Sequence, residues 1–123
     1  MSPSSLIILV EDDASMCLAI KRLLEAVGWD TKAFLSAEAF LESRTAAEAS
    51  GFIFDVNLPG LDGFALREKL LSEGISTPVI FITGQDRPAV RARVDGASAA
   101  GFFVKPFSGS RLIEILNQNC AAA

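Results

Sequence analysis

Three acids in a row, Glu11-Asp12-Asp13, follow directly on the apolar run Leu6-Ile7-Ile8-Leu9-Val10. Asp55 falls inside a second apolar run, Phe52-Ile53-Phe54-Asp55-Val56, where an unpaired charge is costly. Thr83 ends a third run, Val79-Ile80-Phe81-Ile82, and Lys105 follows a fourth, Phe102-Phe103-Val104. If these runs are strands of one sheet, several carboxylates, a hydroxyl and an ammonium gather at a single edge. Clustered carboxylates repel one another, and a hard divalent cation removes that penalty. Oxygen ligands without His or Cys favour Mg²⁺, which takes one or two carboxylates and keeps several waters. The chain has no His, and no ligand spacing links its two cysteines, Cys17 and Cys120. Structural zinc of the usual kinds is thereby excluded, as are Ser-His-Asp and Cys-His mechanisms.

Each of these residues also has a plainer reading. An acid after the first run can cap the next helix. Asp55 and Lys105 can form a salt bridge and nothing more. Threonine suits strands in general, and most lysines are solvated. Their joint placement after apolar runs carries the argument, because ligands of open α/β sheets bind outside the carboxyl ends of the strands.

The elements that must position them are legible from periodicity. The chain alternates apolar runs with helical periods in about five strand-plus-helix units, the rhythm of an α/β fold with a doubly wound parallel sheet. Continuous apolar runs are expected of strands buried on both faces. After the first strand, residues 14–27 take a helical period with Met16, Ile20, Leu23, Leu24 and Val27 on one face, and Gly28 as the stop. A weaker strand is expected over Asp30 to Phe34, and Ser36 can cap a second helix carrying Phe40 and Leu41. Helices are also expected over residues 62–73, with Phe64, Leu70 and Leu71 inward, over 87–97, and over 108–119 with Leu112, Ile115 and Leu116 buried. Ala121 to Ala123 reads as a frayed end.

The 123 residues amount to one domain. Half are apolar and 21% are charged, which rules out a disordered chain. The net charge of −4 argues against a basic, nucleic-acid-binding stripe. No apolar run is long enough to span a bilayer, and acids follow the first run at once, so neither a membrane span nor a signal peptide is expected. Two isolated thiols fit a reduced, cytoplasmic protein.

Four segments in this order, Val10-Glu11-Asp12-Asp13, Phe54-Asp55-Val56-Asn57-Leu58-Pro59-Gly60-Leu61-Asp62-Gly63, Ile82-Thr83-Gly84 and Val104-Lys105-Pro106-Phe107, resemble the receiver domain of two-component response regulators. The resemblance covers essentially the whole chain. It implies the strand order 2-1-3-4-5 with five flanking helices, and makes a cis peptide at Lys105-Pro106 an expectation. Asp55 resembles the phosphoacceptor, Asp12 the direct ligand of Mg²⁺, and Glu11 the acid that helps hold it through water. Asn57 would offer its backbone carbonyl to the metal. Thr83 resembles the hydroxyl that meets the phosphoryl group, Lys105 its cationic partner, and Phe102 the switch aromatic. Asp13 is read as the cap of the first helix. The first acid is Glu where many members have Asp, and a Phe at the switch position lacks the hydroxyl of a tyrosine.

The implied donor is a phosphohistidine on a sensor histidine kinase or phosphotransfer protein. The implied readout is the face of the fourth helix, fifth strand and fifth helix, where Arg87, Arg91, Arg93 and Arg111 fall. That face would form a homodimer or meet an acidic partner, with no direct contact to nucleic acid. No output domain is evident, so the expectation is a stand-alone receiver or a fragment of a longer regulator.

Readings from other classes fit less well. An Asp-nucleophile Mg²⁺ phosphatase of the haloacid dehalogenase type typically has an acid two residues after the nucleophile, where Asn57 stands. A flavodoxin-like FMN carrier needs a Gly/Ser/Thr-rich phosphate loop after the first strand, where three acids stand instead. A degenerate receiver used only as a scaffold would not need the complete set of acids, Thr and Lys. If Asp12 is the ligand and Asp13 a cap, Asp12→Asn should weaken Mg²⁺ binding far more than Asp13→Asn in a titration. Equal losses would put the assignment one residue out of register.

Overall fold

Leu6–Val10 forms β1, buried at every position, as a run with no polar face requires. The structure, a computed structural model, describes residues 5–120. The expected frayed end, Ala121 to Ala123, lies outside the described residues. After β1 come α1 (Ala14–Ala26), β2 (Asp30–Phe34), α2 (Ala37–Ser43), a short 3₁₀ turn (Ala46–Glu48) and β3 (Gly51–Asp55). They are followed by α3 (Gly63–Ser72), β4 (Val79–Thr83), α4 (Pro88–Gly96), β5 (Gly101–Val104) and α5 (Gly109–Asn119). The five strands pair in parallel in the order β2-β1-β3-β4-β5, which meets the expectation. Sequence boundaries hold to within a residue or two, and only the 3₁₀ turn is additional.

The helix starts follow from local chemistry. Asp13, Ser36, Asp62 and Ser108 are N-caps whose side chains accept from backbone N–H groups three residues on, satisfying donors that a helix start leaves unpaired. Pro88 opens α4, where its missing N–H costs nothing. Gly28, at φ 102°, turns the chain after α1 in a region that L side chains avoid.

Two apolar layers sandwich the sheet. On one face Phe40, Phe52 and Phe54 meet ring to ring, and Phe64 meets Phe81 at 4.7 Å. On the other, Ile7, Leu9, Ile53 and Ile82 pack with Ile20 and Leu24 of α1 and Leu112 and Leu116 of α5.

Two predicted helix faces need correction. Val27 is 53% exposed, because α1 has ended and Val27 is its C-cap. Cys17 is buried on that face instead. In α3, Leu71 is 41% exposed, while Leu66 and Arg67 are buried with Phe64 and Leu70. Leu70 and Leu71 are separated by about 100° around the helix, and one of them must leave the sheet.

Gly63 is where fold and acidic edge meet. A Cβ built there would lie 2.5 Å from the backbone carbonyl oxygen of Asp55, so α3 can start this close to β3 only without a side chain. Gly63→Ala should cost about 1–3 kcal/mol by overpacking and displace the backbone at Asp55. Denaturant melts with amide shifts of residues 55–57 would check both; an unaltered midpoint would refute the contact's importance.

Candidate functional site: an acidic edge spanned by a lysine

Glu11, Asp12, Asp55, Asn57, Thr83 and Lys105 come to the carboxyl edge of the sheet. Glu11 follows β1 and is fully buried; its N–H donates to the Phe34 carbonyl at 3.0 Å, one residue beyond the β1–β2 pairing. Its Oε2 accepts from the N–H of Asp13 at 3.1 Å. Asp12 between them is exposed. Asp55 ends β3 and is 4% exposed. Carboxylate oxygens of Glu11, Asp12 and Asp55 lie within 4.8 Å of one another, a separation one small cation can span.

Lys105 reaches into this cluster. Its N–H donates to the Thr83 carbonyl at 2.7 Å, extending the β4–β5 pairing past β5, and Lys105-Pro106 is cis as expected. Its Nζ lies 3.0 Å from Asp55 Oδ2 and 2.5 Å from Glu11 Oε1. The bond to Asp55 has hydrogen-bond geometry. The contact with Glu11 is an ion pair between two side chains that are largely buried.

The electrostatics follow from burial. Desolvation, reinforced by the neighbouring Asp55, pushes the Glu11 carboxyl up to about 7, against the opposing pull of Lys105 and the Asp13 N–H. Burial also works against the Lys105 charge, but its bonds to Glu11 and Asp55 outweigh it and hold the ammonium above its ordinary value. A cluster with two buried acids and a third at its mouth, their oxygens within 4.8 Å of one another, fits a hard divalent cation. The donors are all oxygen, which suits Mg²⁺.

Asn57 makes two contacts besides the carbonyl that the resemblance assigns to the metal. Its N–H donates to Asp55 Oδ1 at 2.8 Å, and its side-chain Nδ2 donates to Thr83 Oγ1 at 3.0 Å. Thr83, fully buried, also accepts from the N–H of Gln85 at 3.1 Å and donates to the Gln85 carbonyl at 3.2 Å. Asn57 thus links the β3 end to the β4 end, and Gln85 joins the network although sequence reasoning passed over it. No spacing signal could have found this link, since it depends on side-chain direction.

Phe102 lies on β5 beside Phe81, half-buried, with the Arg91 guanidinium 5.4 Å from its ring centroid. The four arginines expected on this face are exposed, but Arg93 leaves it: two residues on from Arg91, it turns its guanidinium to Phe64 and Asp62 on the α3 side. Three of the four hold acids of their own chain. Arg91 pairs with Asp86, Arg93 with Asp62 and Arg111 with Glu114.

A doubly wound sheet with acids, a hydroxyl and a lysine at its carboxyl edge defines a class of small α/β domains built around an acidic site. A family model for the response regulator receiver domain matches residues 7–117, and the chain belongs to that family, the signalling receivers of two-component systems. Nodulation protein W of Bradyrhizobium diazoefficiens is 34% identical over 113 residues, covering 92% of this chain and 50% of that protein. The C4-dicarboxylate transport transcriptional regulatory protein DctD of Rhizobium meliloti is 37% identical over 116 residues, 93% of this chain and 25% of that protein. The chain therefore spans a quarter to a half of the length of these curated relatives. Among solved structures, a response regulator receiver protein from Pseudoalteromonas atlantica superposes with a TM-score of 0.85 at 29% identity, covering 92% of this chain and 94% of that one. Chemotaxis protein CheY4 of Vibrio cholerae shares the fold, with a TM-score of 0.84 at 22% identity over 94% of this chain and 98% of that one. Among the described residues no helix is long and apolar enough to cross a membrane.

Lys105 is the counter-charge for two buried carboxylates, so Lys105→Met should destabilise the metal-free protein by about 3 kcal/mol at neutral pH. The loss should shrink toward pH 5. Glu11 has a folded pKa near 7, above the ordinary 4.5, so its contribution to stability is full below about 4.5 and is lost as pH rises through about 7. Urea melts in chelator from pH 5 to 8 should show this decline, and Glu11→Gln should flatten it. A slope unchanged in Glu11→Gln would assign the pH dependence to another group.

Proposed function

We propose that this receiver accepts a phosphoryl group on Asp55 from a phosphohistidine of a sensor histidine kinase or phosphotransfer protein in the cytoplasm. The observation that carries the reading is the buried Asp55 carboxylate held at the sheet edge by Asn57 N–H and Lys105 Nζ, at 2.8 and 3.0 Å. An Asp55 carboxylate oxygen forms the new bond to phosphorus while the phosphorus–nitrogen bond of the donor breaks, its electron pair returning to the imidazole. The product is an acyl phosphate.

Such transfer is mainly positioning and charge stabilisation. Glu11, Asp12 and Asp55, with the Asn57 carbonyl, would hold Mg²⁺. When bound, that ion supplies positive charge to the phosphoryl oxygens. The chain's own residues do the rest. Lys105, tethered beside Thr83 through its backbone, supplies a positive donor for another phosphoryl oxygen, and the Thr83 hydroxyl supplies a second. Asn57 N–H keeps Asp55 from rotating away.

The readout in this reading runs from Thr83 to Phe102. Movement of the Thr83 side chain toward the phosphoryl group vacates space beside β4, and Phe102 on β5 buries more of its ring. Burial of an aromatic contributes on the order of 1.5–3 kcal/mol, enough to bias two packings of the α4-β5-α5 face. That face then forms a homodimer or meets an acidic partner. The intrachain pairs of Arg91 and Arg111 must be shared or exchanged for it to do so.

A small phosphodonor with Mg²⁺ should give stoichiometric, base-labile phosphate on the wild type and none on Asp55→Asn. Thr83→Ala should take up phosphate yet show no change in mass by light scattering where the wild type does. Phosphate retained by Asp55→Asn, or multiple turnover without a stable adduct, would overturn the reading.

A further inference from the structure

Arg67, on α3, is 8% exposed, and neither its Nε nor its Nη1 has a hydrogen-bond partner among the described residues. A guanidinium keeps its charge and its five N–H donors wherever it is placed. Burial disfavours that charge, and only Glu68, the next residue along α3, supports it. Fold stability gives no reason for this arginine, because an apolar residue of similar length is often neutral or stabilising at such a position.

Arg67 and the buried Phe64 line a groove of about 390 Å³ between α3 and the end of α4, together with Glu68, Leu71, Arg93 and Ala97. None of Glu11, Asp12, Asp55, Asn57, Thr83 or Lys105 borders it. Arg93, 55% exposed, rests its guanidinium 4.2 Å from the centroid of Phe64 and 3.6 Å from Asp62 Oδ2. The groove thus combines an unpaired buried cation, a second cation at its rim and the apolar surfaces of Leu71 and Ala97.

We propose that this groove binds a carboxylate side chain of a protein partner, with Arg67 as its charge-paired anchor. Planar, charge-assisted bonding to a carboxylate is what a guanidinium does best. Leu71 and Arg93 are exposed and give way as the carboxylate reaches the covered N–H groups. Leu71 and Ala97 then receive the aliphatic stem beside it. A singly charged group fits better than a phosphate, because Glu68 and the carbonyl end of α4 at Gly96 and Ala97 already place negative potential there. The site is independent of phosphoryl chemistry at Asp55.

The test uses a fluorescent, N-acetylated peptide of alternating Leu and Glu, with its Leu-Gln counterpart, and the Arg67 Nε–H resonance of the wild-type chain. The Leu-Glu peptide should bind, weaken with salt and move the Arg67 resonance; the Leu-Gln peptide should do neither. Arg67→Met should fold at least as stably as wild type and lose affinity by about tenfold or more. Equal binding of both peptides, no binding by the wild type, or full affinity in Arg67→Met would overturn the proposal. So would displacement of the peptide by a short single-stranded oligonucleotide at equal charge, which would mark a phosphate site. If Arg67→Met does not fold, the resonance and an Arg67→Gln titration decide.

Discussion

Two carboxylates buried at the end of a parallel sheet cannot stand without positive charge, and Lys105 supplies it. Its Nζ lies between Asp55 and Glu11, at 3.0 and 2.5 Å. The rest of the edge is arranged so that this contact can exist. The β4–β5 pairing is prolonged by the bond from Lys105 N–H to the Thr83 carbonyl, which aims the side chain back across two strands. Even so, burial and the neighbouring Asp55 hold the Glu11 carboxyl up at about 7. The edge is therefore charge-deficient at neutral pH, and a divalent cation answers that deficiency better than one ammonium can.

The sheet was largely legible before any coordinates, because its strands are unbroken apolar runs and its helices start at polar caps. Strand order came through resemblance; periodicity alone does not carry it. The members of the acidic edge were visible as polar residues directly after apolar runs, and the structure brings Glu11, Asp12, Asp55, Asn57, Thr83 and Lys105 together. Other features were not visible for definite reasons. Arg67 reads as a surface residue in any hydrophobic pattern, yet its stem packs like an apolar one. Val27 fits the apolar period of α1 but falls after the helix has ended. The Asn57–Thr83 bond joins residues 26 positions apart, and only the fold decides that they meet.

The arginine-rich face shows how composition can mislead. Four arginines on and beside α4 and α5 suggest a basic patch. Three of them spend their charge on Asp86, Asp62 and Glu114. Arg91 lies over the ring of Phe102 while Arg93 turns away to Phe64 on α3, so the net field of the face is weaker than the count implies.

Thr83 has a single hydroxyl hydrogen, and the Gln85 carbonyl holds it. The Asn57 amide and the Gln85 N–H point their own hydrogens at the oxygen, so that hydrogen has no other direction in which to turn. A hydroxyl in this state can only accept. To donate to any new oxygen near Asp55, it must first release the chain just after β4. The site and that loop are thus rivals for one hydrogen atom, and whatever wins it at one place must loosen the other.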